Sequence, residues 1–435
     1  MSNHPSSVWP KISFGKIVKK LVNGGTPPTE VEAFWNGKIP WITGADFTPT
    51  GISEFRRFVS DSAIAQTSTN VIECGQLLLV TRTGVGKLAI APCHIAISQD
   101  ITGVYVDEEK VDTHFFFHRM RQGVEDLKKL NQGTSINGII RSDLVAYLID
   151  LPPLSTQRRI AEILSTIDEA IEQTESLIAK YQQVKAGLMQ DLFTRGVTPD
   201  GHLRPTRVQA PHLYKESLLG WIPKEWEVRR LGVILKECGG HFQTGPFGSQ
   251  LHAYEYQHEG VPVVMPQDIN DGIISTEQIA RISEQRAEEL SRHRMKTGDI
   301  VIARRGDLSR ASVITDREET WLCGTGCFLL RLGRSSLHGD FAALVYRHDV
   351  VQRQIAGMAV GTTMPSLNNN VMERVLFPYC DPDEQSRITE RLDSLDQSLR
   401  FAQRHLANST QIKRGLMQDL LTGRVRVKVA ETASI

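Results

Sequence analysis

No run in this 435-residue sequence approaches the ~18–20 apolar residues that a membrane-spanning helix requires. The opening MSNHPSSVWPK is polar and lacks the apolar centre of a secretory signal, so the expected compartment is the cytoplasm. Net charge is missing as well: 50 Lys and Arg balance 50 Asp and Glu. A chain that coats nucleic acid without discrimination is normally basic, so that class is disfavoured, although local basic patches suffice for phosphate contacts. Cysteine is scarce, with six residues at 74, 93, 238, 323, 327 and 380, expected to be reduced and packed as small apolar groups. Cys238-Gly-Gly-His241 with Cys323 and Cys327 is the one grouping that suggests zinc. Its spacings match zinc sites only loosely, and Cys327 opens a strand-like Cys-Phe-Leu-Leu run, so no metal is expected.

Catalytic signatures are also wanting. Gly84-Val-Gly86-Lys87 has the flavour of a phosphate loop, yet Thr81 stands where the first glycine belongs and Leu88 where the magnesium-binding hydroxyl belongs. Asp150-Leu-Pro-Pro-Leu154 departs from the Asn/Asp-Pro-Pro-aromatic motif of amino-methyltransferases by an inserted Leu and a missing aromatic. There is no glycine-rich dinucleotide fingerprint, and His293 and His348 have no nucleophile or carboxylate at a recognisable spacing. The expected class is a binding protein with no catalytic residues and no cofactor of its own.

What the chain does contain is itself, twice. KAGLMQDLFT at 185–194 returns as KRGLMQDLLT at 413–422, an offset of 413 − 185 = 228 residues. Gln157-Arg-Arg-Ile160 and Gln385-Ser-Arg-Ile388 keep that offset (388 − 160 = 228), as do Gly133-Thr-Ser135 and Gly361-Thr-Thr363 (361 − 133 = 228). Weaker matches lie nearer the front of each half: Trp9 to Gly15 with Trp226 to Gly232, Ile39 to Asp46 with Val261 to Asp268, and GQLLLVTRTG (75–84) with GDIVIARRG (298–306). Their drifting offsets place insertions in loops, where they are tolerated. Each half is expected to be a mixed domain of roughly 150 residues, an ordinary domain size, followed by a long helix.

Two proline-free apolar stripes mark those helices. The first runs Ile160, Leu164, Ile167, Ile171, Ile178, Leu188, Leu192, with Tyr181 and Val184 between. The second runs Ile388, Leu392, Leu395, Leu399, Ala402, Leu406, Ile412, Leu416, Leu420, with Ser409 as its polar break. Steps of three and four make a coiled-coil seam, and Pro152-Pro153 and Pro382 supply start signals. A helix of ~35 residues spans about 50 Å and cannot stand alone on so narrow a stripe. An ordinary dimer seam fits the pattern too; two matched helices beside two matched domains favour an antiparallel pair within one chain. Gln190, Asp191, Gln418 and Asp419 lie off the stripe in the repeated block, and with Gln157 and Gln385 they form a candidate docking surface presented twice.

The globular halves read as short strands between Gly- and Pro-rich turns, with strands expected at 76–82, 101–106, 300–304 and 327–332. Basic and hydroxyl side chains sit at corresponding strand ends: Thr81, Arg82 and Lys87 in the first half, Arg304, Arg305 and Arg310 in the second. Arg binds guanine bidentately or grips phosphate, although a solvated strand end is the competing explanation. Gln132, Thr134, Ser135, Thr362 and Thr363 offer phosphate donors, Asn137, Gln243 and Gln267 have the amide geometry that reads adenine, and Thr244 is a further DNA-binding candidate.

The unit Leu151-Pro-Pro-Leu-x-x-Gln157-x-x-Ile160, followed by a heptad helix ending in GLMQDL, resembles the specificity subunits of type I restriction-modification enzymes, as does GWIPKEWEVRRLG at 220–232. Phe377-Pro378-Tyr379-Cys380 departs from the Leu-Pro-Pro-Leu form in the second copy. The resemblance covers nearly the whole chain and implies an α+β fold: two similar mixed α/β target-recognition domains joined by two long antiparallel helices in an intramolecular coiled coil, an internal pseudo-twofold repeat. The expected domains are 1–152 and 225–378 for recognition, 153–195 and 379–424 for the helices, 196–224 as connector and 425–435 as tail. Each domain would read half of a bipartite site in double-stranded DNA. The helices would set the gap and dock two modification subunits, which bring S-adenosylmethionine and adenine-N6 methylation. Motor-nuclease restriction subunits would add ATP and Mg. Half-sites one helical turn apart lie about 34–36 Å from each other, within reach of such helices. A self-contained adenine methyltransferase and a coiled-coil scaffold that binds no DNA are the alternatives.

Overall fold

The computed structural model describes residues 9–48, 51–52, 54–123, 139–358 and 366–428. Its contacts divide the chain into two compact units, Met1–Ala179 with Phe401–Ile435, and Lys180–Arg400. Both boundaries fall inside long helices, Leu154–Arg195 and Pro382–Thr422, so each unit owns the first part of one helix and the last part of the other alongside its globular domain. Among the described residues no helix is long and apolar enough to cross a membrane.

The first unit is built on a four-stranded antiparallel sheet in the order Val18–Asn23, Ile101–Val106, Leu77–Val80, Leu88–Ile90. Leu77–Val80 is buried on both faces, which is why it reads as an unbroken apolar run. A second sheet orders Phe58–Val59, Ile39–Ile42, Ile95–Ile97 and Asn70–Ile72, its central pair parallel. The second unit repeats this plan. Its main sheet runs His241–Thr244, Cys327–Arg331, Ile300–Ala303, Ala311–Val313, and its smaller sheet runs Ala280–Ile282, Val261–Val264, Leu322–Cys323, again with one parallel pair. All four strands expected from the sequence are the inner strands of the main sheets, where burial makes the apolar signal strongest. Cys323 and Cys327 lie in this core, and burial pushes the Cys323 thiol up to about 12. The segment after the first long helix is folded and not merely connecting: it carries the hairpin Tyr214–Ser217/Gly220–Pro223 and the buried Arg204.

In each unit a helix start packs against a helix end, so the pairing there is antiparallel. Ile160, Ala161 and Leu164 share a core with Leu420 and Leu421, and Leu192 and Phe193 share one with Ile388 and Leu392. Of the remaining seam positions Ile171 is buried, and Ile167, Ile178, Leu188, Leu395, Leu399, Leu406 and Leu416 are half-buried. Ile412 corrects the expectation: it is 54% exposed. The inward stripe keeps its three-four spacing through Ser409 and Lys413 instead, and Lys413 reaches across to Asp168. Val184, at the matching position, is likewise exposed, and Lys185 pairs with Asp396. The two ion pairs are one contact written twice, since 396 − 168 and 413 − 185 are both 228.

His118 is packed against the first of these pairs, its Nδ1 3.9 Å from Asp168 and its side chain 2% exposed. Burial lowers its pKa to about 4; Asp168 opposes the shift, while Lys413, Arg121 and His114 add to it. The unfolded chain takes up this proton near pH 6.5 and the folded chain only near 4, so stability is lost as pH falls between those values. The second unit has Leu344 at this place, counting from the corresponding helix caps Asp112 and His338. His118→Leu should therefore gain about 2 kcal/mol on the wild type between pH 7 and pH 5 in urea unfolding. Parallel pH profiles would refute the assignment.

Candidate nucleic-acid interface

The strand-end residues separate into two classes once their contacts are known. Thr81 is buried, and its hydroxyl faces those of Thr102 and the Asp100 carbonyl. Arg304, at the matching place, is half-buried: its Nε donates to the Leu367 carbonyl at 3.0 Å, and its guanidinium lies over the rings of Phe328 and Phe247. Burial, and then the charge of Arg305, pull its pKa below the ordinary value. The backbone agrees with this equivalence, because Ile139 N donates to Thr81 O and Leu367 N to Arg304 O. Position 81/304 is thus a structural corner, which corrects the reading of Thr81 and Arg304 as free contacts.

One residue further on the picture changes. Arg82 and Arg305 are exposed, and neither side chain has a partner among the described residues. Each precedes a turn made by a glycine with positive φ, Gly84 at 87° and Gly306 at 76°, a conformation that side chains other than hydrogen resist. Two fixed corners therefore each present one solvated guanidinium, a geometry suited to a base edge or a phosphate.

Lys87 and Arg310 do a different job. The Lys87 ammonium donates to the Gly44 carbonyl at 2.8 Å. Arg310 reaches the carbonyls of Pro266, Gln267 and Ile269 and the Asn270 side chain, and it pairs with Asp307. Both hold the turn that follows the first strand of the smaller sheet, the turn closed by Asp46 on Thr43 N in one unit and by Asp268 on Met265 N in the other. The sequence reading missed these two aspartates, although both sit in a repeated block three residues after the group they accept from. Gln243 is also committed internally, its amide donating to Arg292 O and facing His293. Thr244 is half-buried in the edge strand of its sheet, whereas Gln267 is exposed on the turn that Arg310 secures. Gln132, Thr134, Ser135, Asn137, Thr362 and Thr363 lie outside the described residues.

The docking candidates divide in the same way. Gln157 and Gln385 are wholly buried and cannot meet a partner protein. Gln157 Oε1 accepts from Asp112 N, and its Nε2 donates to the carbonyls of Lys110 and Pro152. Gln385 does the same with His338 N and the carbonyls of Ser336 and Cys380. Each amide pins the cap of a domain helix to the start of a long helix, so their repetition records a structural need. Gln190 and Gln418, by contrast, are exposed, and Asp191 and Asp419 pair with Arg195 and Arg424. Val184 and Ile412 stand exposed on the same helix stretches, and an added Cβ on Gly187 or Gly415 would meet nothing within 4 Å. Each unit thus shows an apolar residue, a bare backbone patch and an amide at the same spacing.

Comparison with known proteins matches this duplicated plan. Residues 7–181 and 223–408 each match the model of the type I restriction modification DNA specificity domain. The chain is similar to the type I restriction enzyme MjaVIII specificity subunit of Methanocaldococcus jannaschii, 24% identical over 97% of this chain and 93% of the relative. It is also similar to the EcoBI specificity subunit of Escherichia coli, 20% identical over 75% of this chain and 67% of that one. Among solved structures, the S subunit of a type I restriction-modification system from M. genitalium shares the fold, with a TM-score of 0.64 and 19% identity over 97% of this chain and 98% of that one. With the domain matched twice across most of its length, the chain belongs to the type I restriction-modification DNA specificity family.

Proposed function

We propose that this chain is the non-catalytic reading subunit of a type I restriction-modification complex, acting in the cytoplasm on double-stranded DNA, with each unit recognising one half of a bipartite site. The observation that carries this reading is the pair Arg82 and Arg305: one solvated guanidinium per unit, at the same turn of the same sheet, on a corner whose neighbours are locked. Gln267 adds an amide beside the second corner. The helices set the distance between the two halves of the site. The repeated faces Val184-Gly187-Gln190 and Ile412-Gly415-Gln418 dock two copies of one modification subunit, since two equivalent surfaces bind two equal partners. Adenine methylation, ATP and Mg belong to those partners and to the motor-nuclease subunits.

Arg305→Ala, in the chain assembled with modification subunits, should weaken recognition of one half-site by about 1–3 kcal/mol. Arg82→Ala should do the same for the other half. Competition binding with duplexes altered in one half at a time measures both effects. Loss shared equally by the two halves, or no loss, would refute the modular reading.

A further inference from the structure

Arg347 ends the helix Gly339–Arg347 in the second unit. Its Nε is fully enclosed without a hydrogen-bond partner, and no ion pair reaches its guanidinium from the described residues. Arginine cannot shed its proton, and a buried charge is costly unless something pairs with it. The carboxylates nearest in effect, Asp396 and Asp271, act on it only through space, and Asp396 is already engaged by Lys185. One face of the guanidinium rests against Gly272, where an added Cβ would fall 2.4 Å from Nη1. Beside it opens a pocket of about 360 Å³ whose walls include Lys185, Ser309, Arg310, Asp271 and Asp307. Asp307 is occupied, accepting from Ser309 and pairing with Arg310. Arg310 and Lys185 already have acidic partners in Asp307 and Asp396, and Asp271 adds a carboxylate to the wall, so Arg347 is the cation of this lining with no counter-charge in contact.

We propose that this pocket receives a phosphate of the DNA backbone, gripped by Arg347, with the paired Lys185 and Arg310 on the pocket wall beside it. The planar fork of arginine suits two phosphate oxygens. DNA is favoured over a partner protein's carboxylate by position: the Asp307–Arg310 wall continues directly from Arg305, and the Asn270–Gly272 wall from Gln267, both exposed. The inference rests on the DNA-reading proposal and adds a contact that positions the duplex without reading its bases.

Arg347→Met and Arg347→Lys, each in the full chain assembled with modification subunits, test it. Methionine keeps the apolar stem and removes a half-buried charge that nothing pairs, so the fold should survive the change. With Arg347→Met the slope of log affinity against log salt should shrink by about 1, equally on cognate and unrelated duplexes. Arg347→Lys should keep most of the slope. An unchanged slope with methionine overturns the proposal, and weaker assembly with the modification subunit at unchanged slope would assign the pocket to a partner's carboxylate instead. If Arg305→Ala is equally silent, the DNA-reading proposal fails along with it; if Arg305→Ala acts on one half-site, only the pocket assignment falls.

Discussion

Glu384→Ala should destabilise the second unit by about 3–5 kcal/mol, the usual cost of stripping one partner from a buried ion pair. Arg204 and Glu384 are both nearly solvent-free, with side-chain exposures of 9% and 5%, and they meet through two hydrogen bonds. Glu384 Oε1 also accepts from Val197 N at 2.7 Å, so one carboxylate fastens the segment leaving the first long helix to the first turn of the second. Burial alone would pull the Arg204 guanidinium down; the hydrogen bond and charge of Glu384, with smaller help from Glu225 and Tyr214, together more than reverse that shift. Alanine leaves the buried cation with only the exposed Glu225, 3.6 Å away, and the Arg195 carbonyl as partners, and it orphans the Val197 N–H. Replacing both partners by apolar residues of similar size, as in Arg204→Met with Glu384→Leu, should recover most of the loss. Urea unfolding followed by amide exchange in the Ile300–Ala303 strand reads the second unit. A cost near zero for Glu384→Ala would show that the pair is solvated.

The buried glutamines should give the next largest effect. Gln385→Leu abandons the His338 N–H and the Ser336 and Cys380 carbonyls, and Gln157→Leu abandons the corresponding three groups in the first unit. An unsatisfied buried polar group costs about 1–3 kcal/mol, and three clustered ones do not add fully, so a loss of about 3 kcal/mol is expected from each change. The losses should be separable. Amide exchange should quicken at Leu77–Val80 for Gln157→Leu and at Ile300–Ala303 for Gln385→Leu, with the other unit unaffected. Quickening in both units from either change would contradict the division of the chain into two cooperative bodies.

These residues also explain what could be read in advance. The duplication, the inner strands and the long helices were legible because burial imposes long apolar runs and regular spacing on the sequence. The polar residues were harder, because repetition marks anything both copies need, whether contact or scaffold. Gln157 and Gln385 repeat because each staples a domain to its helix, whereas Arg82 and Arg305 repeat on free corners; only the hydrogen bonds distinguish the two cases. Ile412 carries the apolar signal but not the spacing: the three-four rhythm from Leu406 runs through Ser409 to Lys413, the repeat of Lys185, and the buried face follows the rhythm. Arg347 has no sequence signature at all, since its significance lies in the partner it lacks.

The most direct test is to exchange residues 231–375, the globular part of the second unit, for the matching segment of a relative and to sequence the adenine methylation marks made with the modification subunit. Two independent reading bodies predict a new motif that differs from the original in one half only, with the other half and the gap unchanged. A motif altered in both halves, or not altered at all in a complex that still methylates, would contradict the account.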